Sequence, residues 1–186
     1  NCLIFTIYIN RRLTMKKTST KFKDLYIFES KNYKDNRGFF RELVIEDQIK
    51  SELIFYVVST SKKNVLRGLH FQSHKAQGKY LSVLKGEIFD VALDCRRNSK
   101  TFGQYFSILL NDKNCKSIFI PPGFAHGFLS LKKENIVIYG CTNYRNKKSE
   151  SGIMWNDPAL NIKWPIKKPV LSAKDKKNKS FNFYFK

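Results

Sequence analysis

The run Tyr80-Leu81-Ser82-Val83-Leu84-Lys85-Gly86-Glu87-Ile88-Phe89-Asp90-Val91-Ala92-Leu93-Asp94-Cys95 holds two β-rich segments. Tyr80 to Leu84 and Glu87 to Cys95 are joined by Lys85-Gly86, a short link that reads as a hairpin. In the second segment Phe89, Val91 and Leu93 alternate with Asp90, Ala92 and Asp94. That period of two gives a strand with one apolar face and one more polar face. Upstream, extended runs cover Phe22 onward, Gly38 to Glu42, Leu53 to Ser59 and Val65 to Gln72, the last after the polar turn Ser61-Lys62-Lys63-Asn64. Downstream, Tyr105 to Leu110 and Lys116 to Ile120 read as a pair around Asn111-Asp112-Lys113-Asn114, and Asn135 to Asn143 adds another strand. Turn signals recurring about every eight to twelve residues point to an all-β sandwich or barrel rather than a helix bundle.

The chain has 186 residues, 42% of them hydrophobic, which suits one domain around one core. Residues 22–175 are expected to form it. Residues 1–21 are expected to be an N-terminal extension outside the fold, and 176–186 a basic, partly mobile C-terminal tail. The apolar part of the extension, Cys2 to Ile9, is far shorter than the roughly 20 residues of a spanning helix. Its basic pair also follows the apolar run, the reverse of a secretory signal, so no membrane association is expected. Cys2, Cys95, Cys115 and Cys141 lack both CxxC and zinc-site spacing and fit reduced thiols in a cytoplasmic protein. The formal charge of +20 is spread over loop lysines such as Lys62-Lys63, Lys132-Lys133, Lys147-Lys148 and Lys167-Lys168. A scatter of that kind reads as solvated surface, and nucleic acid is not an expected partner.

Two of the three histidines sit in distinctive settings: His70 in Arg67-Gly68-Leu69-His70, and His126 in Pro121-Pro122-Gly123-Phe124-Ala125-His126-Gly127. His74 lies in a polar loop and reads as solvated. The two blocks fall where a double-stranded β-helix barrel of the cupin or jelly-roll type places its signature motifs. The expected fold is such a barrel, with short helices and an irregular C-terminal segment punctuated by Asn156-Asp157-Pro158 and Trp164-Pro165. Lys79, seven residues before Gly86, occupies the position of the metal-binding glutamate of that superfamily. An ammonium has donors and no lone pair, so it repels a divalent ion and attracts an oxyanion, and no metal is expected. Two histidines, a lysine and an arginine in a barrel mouth suit proton abstraction beside a carbonyl, with cationic donors for the enolate oxygen.

Several blocks in order carry a more specific signal: Asn64 to Gln72, Ala76-Gln77-Gly78-Lys79, Gly86 to Ala92, Ser99-Lys100-Thr101-Phe102-Gly103 and Pro122 to Phe128. Cys141-Thr142-Asn143-Tyr144, Trp155-Asn156-Asp157-Pro158-Ala159 and Leu171-Ser172-Ala173-Lys174-Asp175 continue it. From about Phe22 to Asp175 the chain resembles the dTDP-4-dehydrorhamnose 3,5-epimerases. The resemblance implies a cofactor-free isomerase of deoxysugar and polysaccharide biosynthesis that acts on a nucleotide-linked 4-keto-6-deoxy hexose, as a homodimer. It implies His70 as base, Asp175 as its carboxylate partner, Tyr139 as acid on the opposite ring face and Lys79 near the C4 ketone. It also implies substrate contacts from Arg37, Glu42, Arg67, His126, Glu150 and Lys174.

The match breaks where the family carries glutamine and asparagine, for Phe55 and Val57 stand there. That break keeps open a single-carbon epimerase or one using a GDP- or UDP-linked sugar. A non-catalytic sugar-nucleotide or nucleic-acid-binding barrel is a further alternative.

Overall fold

The computed structural model describes residues 15–186; the greater part of the expected N-terminal extension, including Cys2, lies outside the described residues. The strands are β1 Lys16–Ser19, β2 Tyr26–Glu29, β3 Tyr33–Asp35, β4 Gly38–Phe40, β5 Phe55–Lys62, β6 Leu66–Gln72 and β7 Lys79–Lys85. They continue with β8 Glu87–Asp94, β9 Tyr105–Asn111, β10 Lys116–Ile120, β11 Phe124–Ser130, β12 Glu134–Cys141 and β13 Glu150–Gly152. Two short helices, α1 Glu46–Ile49 and α2 Phe181–Phe185, and a 3-10 turn at Asp175–Lys177 complete the chain. One sheet runs β1-β2-β10-β7-β12-β5 and the other β13-β6-β11-β8-β9, with β3-β4 as a separate hairpin. The all-β barrel expected from the sequence is what forms.

The pairing of β7 and β8 differs from the sequence reading. β7 pairs with β10 and β12, and β8 with β11 and β9, so Lys85-Gly86 carries the chain from one sheet to the other instead of closing a hairpin. Gly86 turns there at φ +86°, and a Cβ on it would run into the Glu134 carbonyl. β9 and β10 likewise divide between the sheets. Alternation located β8, but it does not say which strand lies alongside, and β1, β11 and β13 were not read as strands.

Both faces of β8 are buried. Ile88 and Ala92 join Leu81, Val83, Ile118, Phe124, Phe128 and Val137 between the sheets. Val91 and Leu93 face a second cluster with Leu69, Ala125, Ile153 and Phe181. The more polar face is therefore the barrel interior, and Asp90 is fully buried in it. A third cluster, with Met15, Phe28, Ile49, Leu53, Tyr80 and Phe119, covers the outside of the first sheet.

Two expected boundaries move. Residues 16–19 are not outside the fold, because β1 pairs in register with β2 from Lys16↔Glu29 to Ser19↔Tyr26, and Met15 is buried. The last eleven residues are not a free tail either. Phe181 is buried, and α2 packs on the second cluster through aromatic rings that outweigh the solvated lysines around them.

The Ser99-Lys100-Thr101 block has a structural task. Asp94, buried at the end of β8, accepts from Arg96 through two nitrogens at 2.8 Å, from Ser99 Oγ at 2.6 Å and from Thr101 Oγ1 at 2.7 Å. Burial alone would push its carboxyl up, but these donors outweigh that and bring it down to about 2.

Candidate active site

The barrel interior is filled by apolar side chains at one end and opens at the other into a cavity of about 670 Å³. His70, Lys79, Tyr139, Asp175, Arg67, His126, Glu150 and Lys174 all line it. The sequence reading had grouped these eight, and the fold brings them together. Arg37 and Glu42 are not among the lining residues. Arg37 sits in the exposed β3–β4 turn, its side chain 85% exposed and paired to Asp35 at 2.6 Å.

Close approach of β6 and β11 sets the two histidines. A Cβ on Gly68 (φ +114°) would lie 2.6 Å from Gly127 Cα and from the His126 carbonyl, so only glycine lets these backbones meet. The β6–β11 register shifts between His126 and Phe128, and His126 lies directly opposite His70. His126 is buried with Nε2 2.7 Å from Asp90 Oδ2, which fixes its ring. Asp90 Oδ1 is buried without a partner among the described residues.

His70 Nε2 lies 2.6 Å from Asp175 Oδ1, and Asp175 is only 6% exposed. A carboxylate on one ring nitrogen holds the proton there and leaves the other nitrogen, Nδ1, with its lone pair. Burial would raise the Asp175 carboxyl, but the hydrogen bond and charge of His70, with Ser172 and the Gly68 backbone, hold it below the usual range. It therefore stays an anion at neutral pH.

Tyr139 approaches from the other sheet. It lies on β12, opposite Val57 on β5 and Leu81 on β7, so its cross-strand neighbours are apolar. Burial pushes its phenol above the ordinary tyrosine value, and the proton is retained at neutral pH. Lys79 opens β7 opposite Cys141 on the same wall. Burial pulls its ammonium below the lysine range, against the opposing effects of Cys141, Asp90 and Glu150. A desolvated ammonium gains most when an anion forms beside it.

Around the opening, Arg67 donates to Ser61 Oγ at 2.9 Å and to the Thr60 carbonyl at 3.0 Å. Glu150 accepts from Lys174 at 2.7 Å and from Arg145 at 2.8 Å. Burial favours a neutral Glu150, but these two cations overcome that and keep its carboxyl below the usual range. Arg145 also lines the cavity, a residue the sequence reading passed over although it follows Tyr144 directly. Phe55 and Val57 both line the β5 wall, and the Phe55 ring stacks on Tyr144 with centroids 5.7 Å apart and planes 14° from parallel. Among the described residues no three His, Cys, Asp or Glu side chains converge as a metal site requires.

Fold and cavity define a cupin-type barrel with a histidine–carboxylate pair and a tyrosine on different sheets and a cationic mouth. The family model described as dTDP-4-dehydrorhamnose 3,5-epimerase matches residues 19–182. A protein of that description from Salmonella typhimurium LT2 is 47% identical over 165 residues, covering 84% of this chain and 90% of its own. One from Shigella flexneri is 42% identical over 174 residues, covering 90% and 96%. The crystal structure of dTDP-6-deoxy-D-glucose-3,5-epimerase from Legionella pneumophila Philadelphia 1, in complex with dTDP-4-keto-L-rhamnose, superposes with a TM-score of 0.87 at 42% identity, covering 92% and 95%. The chain belongs to the dTDP-4-dehydrorhamnose 3,5-epimerase family.

Proposed function

We propose that the protein epimerises a nucleotide-linked 4-keto-6-deoxy hexose at C3 and C5, converting dTDP-4-dehydro-6-deoxy-D-glucose to dTDP-4-dehydro-L-rhamnose. One observation carries this reading: the His70–Asp175 pair and Tyr139 face one cavity from different sheets. Inversion needs that arrangement. His70 takes the proton from the carbon beside the C4 ketone, and the electron pair moves onto the ketone oxygen as an enolate. Lys79 neutralises that oxygen, and Tyr139 delivers a proton to the same carbon from the other ring face. Both C3 and C5 flank the ketone, so one such set serves both carbons in turn. Neither step requires a redox change.

Arg67, Lys174 and Arg145 give the mouth the cationic donors that a pyrophosphate takes up. Glu150 orders two of them, and His126 borders the sugar. Arg37 and Glu42 contact substrate in a homodimer, reaching the partner's cavity rather than their own. Phe39 and Phe40 beside them are exposed, as are Tyr56 and Val58 on the edge strand β5, which gives a second copy apolar surface to cover. No helix among the described residues is long and apolar enough to cross a membrane, and the proposed location is the cytoplasm.

The test is solvent-deuterium incorporation into dTDP-4-keto-6-deoxyglucose, read by NMR at C3 and C5 with EDTA present. Label at both carbons is expected. Label at one would make the protein a single-carbon epimerase, and none, with the barrel folded, would remove the catalytic reading.

A further inference from the structure

The carboxylate that fixes His70 stands on very little structure of its own. Asp175 begins a three-residue 3-10 turn, supported locally by the bonds from Asp175 N to Ser172 Oγ at 3.0 Å and from Lys177 N to the Lys174 carbonyl at 3.0 Å. A turn that short does not hold a side chain to the few tenths of an ångström that proton transfer needs. The segment is instead tied at both ends. Upstream, Val170 bridges Val65, with Val170 N donating to the Asn64 carbonyl at 2.8 Å and Leu66 N to the Val170 carbonyl at 3.0 Å.

Downstream, the tie lies wholly within the last residues of the chain. Lys179 bridges Ile153, and Met154 N donates to its carbonyl at 2.8 Å. The Asn178 side chain fills the space over Gly152 that any Cβ there would occupy. Phe181 N donates to Asp157 Oδ2 at 2.6 Å, and Asp157 is buried, its other oxygen accepting from Ala159 N at 2.9 Å. The Phe181 ring then packs on Phe102 and Phe185, and Tyr184 and Phe185 pack on Phe71. Phe71 is the residue after His70 on β6, so one aromatic plug grips both the strand that bears the base and the segment that bears its carboxylate.

We propose that Phe181, Asn178 and Asp157 are positioning residues for the His70–Asp175 pair, acting through Asp175 without touching substrate. This rests on the epimerase reading above. In this account residues 178–185 hold the geometry of the pair, and the aromatic packing of α2 sets a hydrogen bond at the far end of the segment.

A double-mutant cycle tests it, with kcat for deuterium exchange measured at saturating substrate and folding followed by circular dichroism and thermal melting. Phe181→Ala should lower kcat by about 10- to 100-fold in the wild-type background but by no more than about twofold in an Asp175→Ala background, the non-additivity expected of residues acting through one group. Phe181→Leu, which refills the plug, should restore most of the rate. Near-wild-type kcat in Phe181→Ala, or an equal fold loss in both backgrounds, would overturn the proposal. If Phe181→Ala melts below the assay temperature, Asn178→Ala supplies the same comparison with the same two outcomes. Full exchange in Asp175→Ala would instead remove the carboxylate from the mechanism, and the underlying reading would fail with it.

Discussion

Replacing Tyr139 by phenylalanine should uncouple proton exchange from inversion. The substitution keeps the ring and removes one hydroxyl that makes no hydrogen bond to another described residue, so the barrel should lose less than about 1 kcal/mol. What disappears is the phenol proton. Its cross-strand neighbours Val57 and Leu81 carry no proton to give, and the nearest titratable group along the strand is Cys141, whose thiol burial has pushed up. With no replacement donor among those neighbours, the loss should sit in the middle of the range for general acid catalysis, about 10³-fold in epimer formation, or about 4 kcal/mol of transition-state stabilisation.

The first half of the reaction keeps its groups, because His70 stands on the other sheet with Asp175 beside it, and Lys79, although on the same wall as Tyr139, retains its charge. The enolate still forms, and the protonated His70 returns its proton, or a deuteron exchanged from solvent, to the face it came from. In D₂O, NMR should therefore show label entering C3 and C5 with retained configuration, at a rate reduced by about tenfold or less, while the inverted product nearly vanishes. Equal suppression of exchange and inversion would refute the two-wall assignment. So would wild-type inversion by the variant.

Lys79→Gln should reduce kcat by about 10²- to 10³-fold with a much smaller change in KM, since the charge acts on an oxyanion that exists only beyond the ground state; steady-state kinetics on the 4-keto sugar nucleotide would check it. Phe55→Gln combined with Val57→Asn should raise the preference for the dTDP-linked over the UDP-linked substrate, because polar edges placed on the β5 wall can distinguish bases that an apolar wall treats alike; competition between the two substrates measures the ratio. Asp94 provides a pH signature. Its folded pKa of about 2 lies below its ordinary 3.8, so its contribution of about 2 kcal/mol is complete above pH 4 and lost as pH falls from about 4 toward 2. In Asp94→Asn, acid melting curves should be flatter over that interval and start from a lower melting temperature at pH 7.

Most strands were legible because extended apolar runs and turn residues are local signals, though β1, β11 and β13 were not read, and the eight cavity residues came as a set through the ordered family motifs. Strand partnership was not. Lys85-Gly86 is as suitable for crossing between sheets as for closing a hairpin, and only the burial of both faces of β8 separates the two. The alternation marked one side of β8 as more polar without saying what faces it, and Asp90 and Asp94 each find a partner inside the protein, His126 for one and Arg96 for the other. The C-terminal end was masked by its lysines. Phe181, Tyr184 and Phe185, spaced for one side of a helix turn, were the available sign that it packs. Arg145 gave no signal of its own, since one more cation in a chain with 35 lysines and arginines carries little information. Nor could the sequence show that Arg37 and Glu42 stand apart from the cavity, since their displacement follows from the separate β3–β4 hairpin.

His70 and Asp175 are 105 residues apart in the chain. Among the described residues β5 pairs with β12, and β6 with β11 and β13, so the walls of the cavity are built from segments that leave the ribosome far apart in time. Closing loops of that length before the pairings reward it places the barrel among the slower folders, in the millisecond-to-second regime rather than microseconds. Under the proposed mechanism His70 is synthesised early and waits for its carboxylate until the segment 105 residues downstream has emerged. In that mechanism activity arises only once Asp175 has docked, and any nascent or prematurely ended chain that stops short of it is a barrel without a working base.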